Sequence, residues 1–330
     1  MPSTTTNLEQ QIRSQPEEMF RVLTSERVRE QVHVAAERLQ RSRRIWLVGT
    51  GTSHHAAILG AGMLQDAGRA AVAMSSMRFV DWAPVIGPED TIVIITHTGE
   101  TAYALATRAL ATTAAIDTIM ITKRGTPFPH AIETTAAETA ETYTVSYTTT
   151  LLVLAMVAGD MGADSLNDDA LGLVPGSVRN ALDAPGIDGI QLPERALVIT
   201  GAGAAAVTAQ EGALKAREGA RVLAEGYDAE YLLHGSAVPL DGRDRLVALT
   251  TPDPEGLIRG VAQAAAAEGI PVDLLGEEAE LPTLLAQIPL TVRLQLLALR
   301  FAIERRQDPD TVIVGAWADD QLWRLGRPDA

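Results

Sequence analysis

The stretch Arg44-Ile45-Trp46-Leu47-Val48-Gly49-Thr50-Gly51-Thr52-Ser53 decides the fold class. Ile45 to Val48 are large and apolar, a Gly/Thr/Ser loop follows, and an alanine-rich helical segment then runs to about Ala67. A short continuous apolar run bounded by turn residues is the mark of a strand buried on both faces. The design returns at Thr91-Ile92-Val93-Ile94-Ile95, which ends in Thr96-His97-Thr98-Gly99-Glu100-Thr101 before another helix. It returns again at residues 195–200, which run into Gly201-Ala202-Gly203 and a helix through Ala220. Weaker strands are expected at 70–74, 116–121, 246–249 and 271–274. Strands alternating with helices imply parallel sheets covered on both faces. The expected fold is α/β, doubly wound.

Outward from these strands, residues 7–24 and 27–40 read as amphipathic helices, with Leu8, Ile12, Met19 and Leu23 on one stripe of the first. Further helices are expected around 147–162 and 284–306. The polar, Gly/Pro-bearing stretch between 163 and 194 reads as a connection holding one helix. The resulting order is an N-terminal helical segment (1–34), a first α/β domain (35–165), a linker (166–190) and a second α/β domain with a C-terminal helix and tail (191–330). Two copies of one unit account for the length.

Composition narrows the function. The 330 residues carry 27 basic and 42 acidic side chains, a net charge of −15, which disfavours nucleic acid as a partner. The absence of cysteine excludes disulfides, thiolate metal sites and a cysteine nucleophile. No His/Asp/Glu spacing suggests a metal site. The first twenty residues have neither a basic n-region nor an apolar h-region. No uninterrupted apolar run approaches the roughly 18 residues of a membrane helix. The expectation is a cytoplasmic protein with no membrane partner. Lysine occurs only at Lys123 and Lys215, so chemistry that needs an amine has two candidates.

A strand that ends in a Gly/Ser/Thr loop and enters a helix offers backbone N–H groups and a partial positive charge to an anion. Hydroxyls at Thr50, Thr52, Ser53, Thr96, Thr98 and Thr101 add donors, and a monophosphate can be held by such neutral groups. The alternative is that these residues simply cap their helices. Gly201-Ala202-Gly203-Ala204-Ala205-Ala206, with Glu225 about 22 residues beyond Gly203, matches the dinucleotide fingerprint; a tight turn with close helix packing is the other reading. Glu211, Lys215 and Glu218 lie four and three apart on one helical face, which also describes an exposed helix laced with ion pairs. His234 stands sixteen residues after Glu218, while His54, His55 and His97 lie in or beside the ligand loops.

Together these segments resemble the sugar isomerase (SIS) domain family, most closely the isomerase half of the glucosamine-6-phosphate synthases. Glu9-Gln-Gln-Ile-Arg-Ser-Gln-Pro16 looks like that family's opening E-I-x-E-Q-P, and Gly51-Thr52-Ser53 matches its G-T-S loop. Residues 96–101 match S-Q-S-G-E-T, with Thr for Ser twice and His97 for Gln. Ala137-Glu138 falls near T-A-G-x-E. Glu211-Gly-Ala-Leu-Lys215 through Glu218, then Ala224-Glu225-Gly-Tyr227, Glu230 and His234-Gly235, follow E-G-A-L-K-x-x-E…A-E-x-Y-x-x-x-E-x-x-H-G, with Glu230 one place early.

The resemblance implies two SIS domains of flavodoxin-like winding and no cofactor. It implies a sugar 6-phosphate held by Gly51, Thr52, Ser53, Thr96, His97, Thr98, Thr101 and Glu138. Glu218 would move a proton between C1 and C2 with Lys215 beside it, and His234 would assist ring opening from the second subunit of a homodimer. Two departures limit it. Without cysteine, the synthases' cysteine-dependent glutamine hydrolysis is not expected. The tail Gln307-Asp308-Pro309-Asp310 only echoes the family's D-x-D-x-P-R-N-L-A-K, and no lysine follows Lys215, so an imine on a tail lysine is not expected either. Isomerase, amino-sugar-phosphate deaminase, fructosamine-6-phosphate-type deglycase, non-catalytic phosphosugar sensor and, through residues 201–206, a nicotinamide-dependent enzyme all remain open.

Overall fold

The computed structural model describes residues 5–324 apart from Ala83, residues 252–254 and residues 278–279. The chain forms two compact units, each built on one parallel sheet.

The first-sheet unit comprises Glu17–Glu138, Val145–Gly172 and the tail from Ile313. Its strands are β1 (Arg44–Gly49), β2 (Ala71–Ser75), β3 (Asp90–Ile95), β4 (Asp117–Thr122) and β5 (Ile132–Glu133), ordered β2-β1-β3-β4-β5 and all parallel. The helices α2 (Glu26–Gln40), α3 (Thr52–Asp66), α4 (Ser76–Trp82), α5 (Ala102–Thr113) and α6 (Val145–Asp160) cover it. Alternation along β1 sorts the faces. Trp46 and Val48 join Phe79, Ile92, Ile94, Ala104 and Ala111 in the core under α4 and α5, with Trp46 and Phe79 edge to face at 5.7 Å. Leu47 points the other way. It packs under Gly60 of α3, where a Cβ would lie 2.8 Å from Leu154 of α6. Each fully buried apolar side chain of this size contributes about 1.5–3 kcal/mol.

The second-sheet unit runs from Leu173 to Val312 and takes in the chain start through Pro16 and Thr139–Thr144. After α7 (Asp168–Asp183) come β6 (Leu197–Gly201), α8 (Ala204–Ala220), β7 (Ala224–Asp228), α9 (Ala229–Tyr231), β8 (Arg245–Thr250), α10 (Leu257–Ala267), β9 (Val272–Gly276) and α11 (Thr283–Glu304). Strand order is β7-β6-β8-β9, again all parallel, so the first four strands of each unit are wound alike. This is the flavodoxin-like arrangement. Val198, Leu246, Ala248, Leu232 and Ile258 fill the face under α9 and α10, and α8 packs on α11. Gly212 makes that helix contact, because a Cβ there would sit 2.5 Å from Leu294. By length and composition α11 could cross a membrane, yet 78% of its most apolar stretch is buried within the unit, as befits a core helix.

β7, β5 and α4 are among the elements not legible in the sequence. β7 reads Ala-Glu-Gly-Tyr-Asp, and it forms because Gly226 lets this edge strand lie against the α8 backbone, 2.4 Å from Ala209 O for an added Cβ. β5 is two residues long, and α4 has only seven.

The units also interleave along the chain, where the sequence boundaries at 34, 165 and 190 run them in series. The helix α1 (Asn7–Thr24) is shared, with its residues through Pro16 in the second-sheet unit. The expected linker divides at Gly172 within α7. The first four and last six residues of the outer segments lie outside the described residues. The reason for the first exchange is local. Asp310 accepts the Asn7 and Leu8 N–H groups of α1, both at 2.8 Å, and the Glu141 N–H donates to the Asp310 carbonyl. The Thr142 hydroxyl donates to Pro309 O at 2.9 Å. Asp310→Ala leaves two helix-end donors unsatisfied and is expected to cost about 1–2 kcal/mol in urea unfolding, with Asp310→Asn milder because it keeps an acceptor.

Candidate functional site

In the first-sheet unit the β1-to-α3 turn has no space for side chains. A Cβ on Gly49 would lie 2.5 Å from the Ser53 carbonyl carbon. Gly51 takes φ 57°, ψ −128°, a conformation that favours glycine. The turn closes through Ser53 N–H to Thr50 O (3.1 Å) and His54 N–H to Gly51 O (2.8 Å). Thr50 bonds Ser76 through their hydroxyls, and Thr52 and Ser53 are half-buried in the first turn of α3. His54 is held neutral, its pKa lowered to about 4 by burial, then by His55 and Arg78.

The neighbouring turn follows β3. Thr96 N–H donates to Ile121 O at 3.0 Å, the Thr96 and Thr101 hydroxyls lie 3.2 Å apart, and Glu100 N–H donates to the Thr98 hydroxyl at 3.1 Å. The capping alternative fails on geometry. The residue at the head of α3 is Gly51, and Thr101 heads α5 without a side-chain cap bond. Hydroxyls and helix N-termini therefore stand together at the carboxyl ends of adjacent strands, where open α/β sheets take their ligands.

His97 and Glu138 meet. The Glu138 N–H donates to His97 Nε2 at 3.2 Å, while Glu138 Oε1 accepts the Ser146 N–H at the head of α6, at 2.8 Å. The His97 carbonyl accepts from the Thr122 hydroxyl and the Lys123 N–H, both at 3.1 Å. Burial, then the Lys123 charge, lowers the His97 pKa to about 4. Neutral, and accepting at Nε2, the ring carries its proton on Nδ1.

In the second-sheet unit α8 carries the charged cluster. Lys215 Nζ lies 2.6 Å from Glu218 Oε2 and 3.4 Å from Glu211 Oε1. Lys215 is 1% exposed and Glu211 0%, while the Glu218 side chain retains 23%. This is not the exposed ion-paired helix of the alternative reading. Burying a lysine between two carboxylates is a poor route to stability. It leaves one carboxylate, Glu218, reachable beside a fixed cation. In the sequence Glu211 stands out as the i, i+4, i+7 member of this stripe and as the start of the E-G-A-L-K match, but not as a site residue.

His234 sits elsewhere in that unit, in a π turn (Leu232–Ser236) whose Gly235 takes φ 117°. It is exposed and makes no hydrogen bond or ion pair with any described residue. Exposed Tyr231, Leu233 and Val238 flank it.

The β6-to-α8 turn copies the first one. Gly203 takes φ 56°, ψ −124°, and a Cβ on Gly201 would lie 2.5 Å from Ala205 C. Alanines replace every hydroxyl. The dinucleotide reading needs an acid at the ligand end of the second strand, but Glu225 is level with Val198, three residues below Gly201, and pairs with Arg217 at 3.8 Å. Among the described residues no group of three His, Asp or Glu side chains is placed to hold a metal ion.

Both shifted histidines bear on acid stability. Between pH 6.5 and about 4 the unfolded chain binds protons that folded His54 and His97 refuse, so stability falls with acid through that window. His97→Gln is expected to flatten this slope, read as Tm between pH 7 and 4.5; an unaltered slope would mean that His97 titrates normally.

Comparison with known proteins gives a SIS domain over residues 38–158. Glutamine–fructose-6-phosphate aminotransferase of Pyrococcus horikoshii is 29% identical over 316 residues, covering 83% of this chain and 51% of that protein. The Methanothermobacter thermautotrophicus enzyme of the same name is 30% identical over 298 residues, covering 81% and 50%. The chain spans about half the length of these relatives. Among solved structures, the C-terminal domain of glucosamine-fructose-6-phosphate aminotransferase from Francisella tularensis superposes with TM-score 0.81 at 22% identity, covering 94% and 99%. Tagatose-6-phosphate ketose/aldose isomerase from Escherichia coli gives 0.81 at 18%, covering 95% and 98%. Glucosamine-6-phosphate deaminase from Thermotoga maritima gives 0.76 at 18%, covering 92% and 97%. At these identities the structural matches speak for the fold.

Proposed function

This SIS-domain protein is, we propose, a phosphosugar isomerase or amino-sugar-phosphate deaminase that acts on a hexose or amino-sugar 6-phosphate. The observation that carries the reading is the α8 cluster: a fully buried Lys215 locked between buried Glu211 and partly open Glu218. A module that only senses phosphosugars has no use for a reactive carboxylate held against a desolvated cation.

In this reading the 6-phosphate sits on the hydroxyl loops at Gly51, Thr52 and Ser53 and at Thr96, Thr98 and Thr101, with His97 and Glu138 bracing the second loop. Glu218 takes the proton from one of C1 and C2 and returns it to the other, while a hydroxyl proton passes between O1 and O2 through the enediol, so the carbonyl migrates by one carbon. Lys215 holds Glu218 in place through the 2.6 Å ion pair, and Glu211 holds Lys215 from the other side at 3.4 Å. In the deaminase variant the same transfer of the C2 proton to C1 leaves an imine at C2 of the sugar, and water hydrolyses it to the ketose and ammonia. No step requires an imine to the protein. Glu218→Gln keeps the shape without the basicity and is expected to lose 10²–10⁴-fold in rate. Sugar-phosphate affinity should survive, and borohydride with substrate should leave no adduct. Turnover on a panel of hexose, hexosamine and fructosamine 6-phosphates tests the reading and separates isomerase, deaminase and deglycase. Binding without any turnover would make the protein a sensor.

The exposed Tyr231, Leu233 and Val238 around His234 support a homodimer in which this histidine serves ring opening in the partner's site. Mixing Glu218→Gln with His234→Ala chains under subunit exchange is then expected to restore part of the activity; no recovery despite exchange would mean that each chain builds its own site.

A further inference from the structure

The carboxyl ends of the two sheets differ in charge at matching places. After β9 comes Glu277, whose carboxylate is taken up by Arg293 at 2.7 Å. After β4 comes Lys123. Its N–H and the Thr122 hydroxyl both donate to the His97 carbonyl, which pins this residue against the 96–101 loop. The side chain is half-buried, and its ammonium makes no hydrogen bond or ion pair with any described residue. That is unexpected in a chain with 42 acidic side chains, whose other lysine is enclosed by two carboxylates. The nearby cation on α5, Arg108, is stacked on Phe128 at 5.0 Å, and Phe128 fills the space beneath Gly99. A half-buried lysine fixed beside the 96–101 loop, with no ion-pair partner among the described residues, is placed to take an anion from outside the chain.

The need for it is electrostatic. A protein of net charge −15 repels a phosphate dianion at long range, and hydroxyls and backbone N–H groups orient an anion without countering that field. Resting on the phosphosugar reading above, we propose that Lys123 is a ligand-binding residue that ion-pairs with the phosphate held by Thr96, Thr98 and Thr101, and so sets selectivity for phosphorylated over free sugar. The sequence reading, which left phosphate capture to neutral donors, misses it. A lysine two residues past the last apolar residue of β4 carries no signature of its own.

The test is calorimetric titration of wild type, Lys123→Met and Lys123→Arg with inorganic phosphate, fructose 6-phosphate and glucosamine 6-phosphate at low and high salt. Methionine keeps the aliphatic stem, so the unfolding midpoint should hold. Lys123→Met is expected to bind these anions on the order of 10–100-fold more weakly and to lose most of the salt dependence. Lys123→Arg should retain most of the affinity. Equal affinity and equal salt slope in wild type and Lys123→Met would overturn the assignment while leaving the phosphosugar reading intact. Failure of wild type to bind any sugar phosphate would overturn both.

Discussion

Everything in this protein hangs on a turn that leaves no room for a side chain. At Gly49 and again at Gly201 the strand ends so close to the following helix that a Cβ would strike its first turn at 2.5 Å. Two residues later Gly51 and Gly203 swing the backbone to φ 57° and 56°. That geometry aims the helix N-terminus across the end of the sheet and fixes where α3 and α8 lie. On those two helices rest the hydroxyl loop of one unit and the charged cluster of the other. Any L-residue at either glycine pair strains the turn or pushes the helix away.

The duplicated frame then divides its labour by side chain. The first turn keeps Thr and Ser, and the neighbouring 96–101 loop adds three threonines whose hydroxyls are not spent as caps. The second turn has only alanines, while its helix carries Glu211, Lys215 and Glu218. The hydroxyl-bearing loops and the buried charged cluster are thus carried by different copies of one architecture. Such separation follows easily from duplication, because the shared backbone constraint is met by glycines alone and leaves the remaining positions free.

Lysine is scarce, two residues among 27 basic side chains. Of two lysines, one is enclosed by carboxylates and the other stands open at a strand end beside a neutral imidazole. His97 in turn receives the Glu138 N–H, and the Glu138 carboxylate heads α6, so the second loop is tied to a helix 16 residues long. The replacement of Gln by His at this position keeps a neutral group that accepts and donates, provided the ring stays unprotonated, which burial ensures.

Much of this was legible in the sequence. Short apolar runs at 45–48, 91–95 and 197–200, each bounded by turn residues, mark strands buried on both faces, and the Gly/Thr loops after the first two mark the end where open α/β sheets take ligands. The spacing of Glu211, Lys215 and Glu218 put them on one helical face. What periodicity cannot carry is depth. Whether that face lay in water or in the core was decided by α8 packing, where Gly212 admits Leu294 and the lysine is enclosed. Only tertiary structure could make β7 a strand, since its pairing with β6 and its contact with α8 replace the apolar side chains it lacks. Only tertiary structure could bring Asp310 to the head of α1 and Lys123 to the His97 loop. Local sequence fixes propensity and spacing, whereas burial is set by partners from other elements, such as Leu294 against Gly212 and Asp310 at the head of α1, and that burial settles which charges are enclosed and which are open.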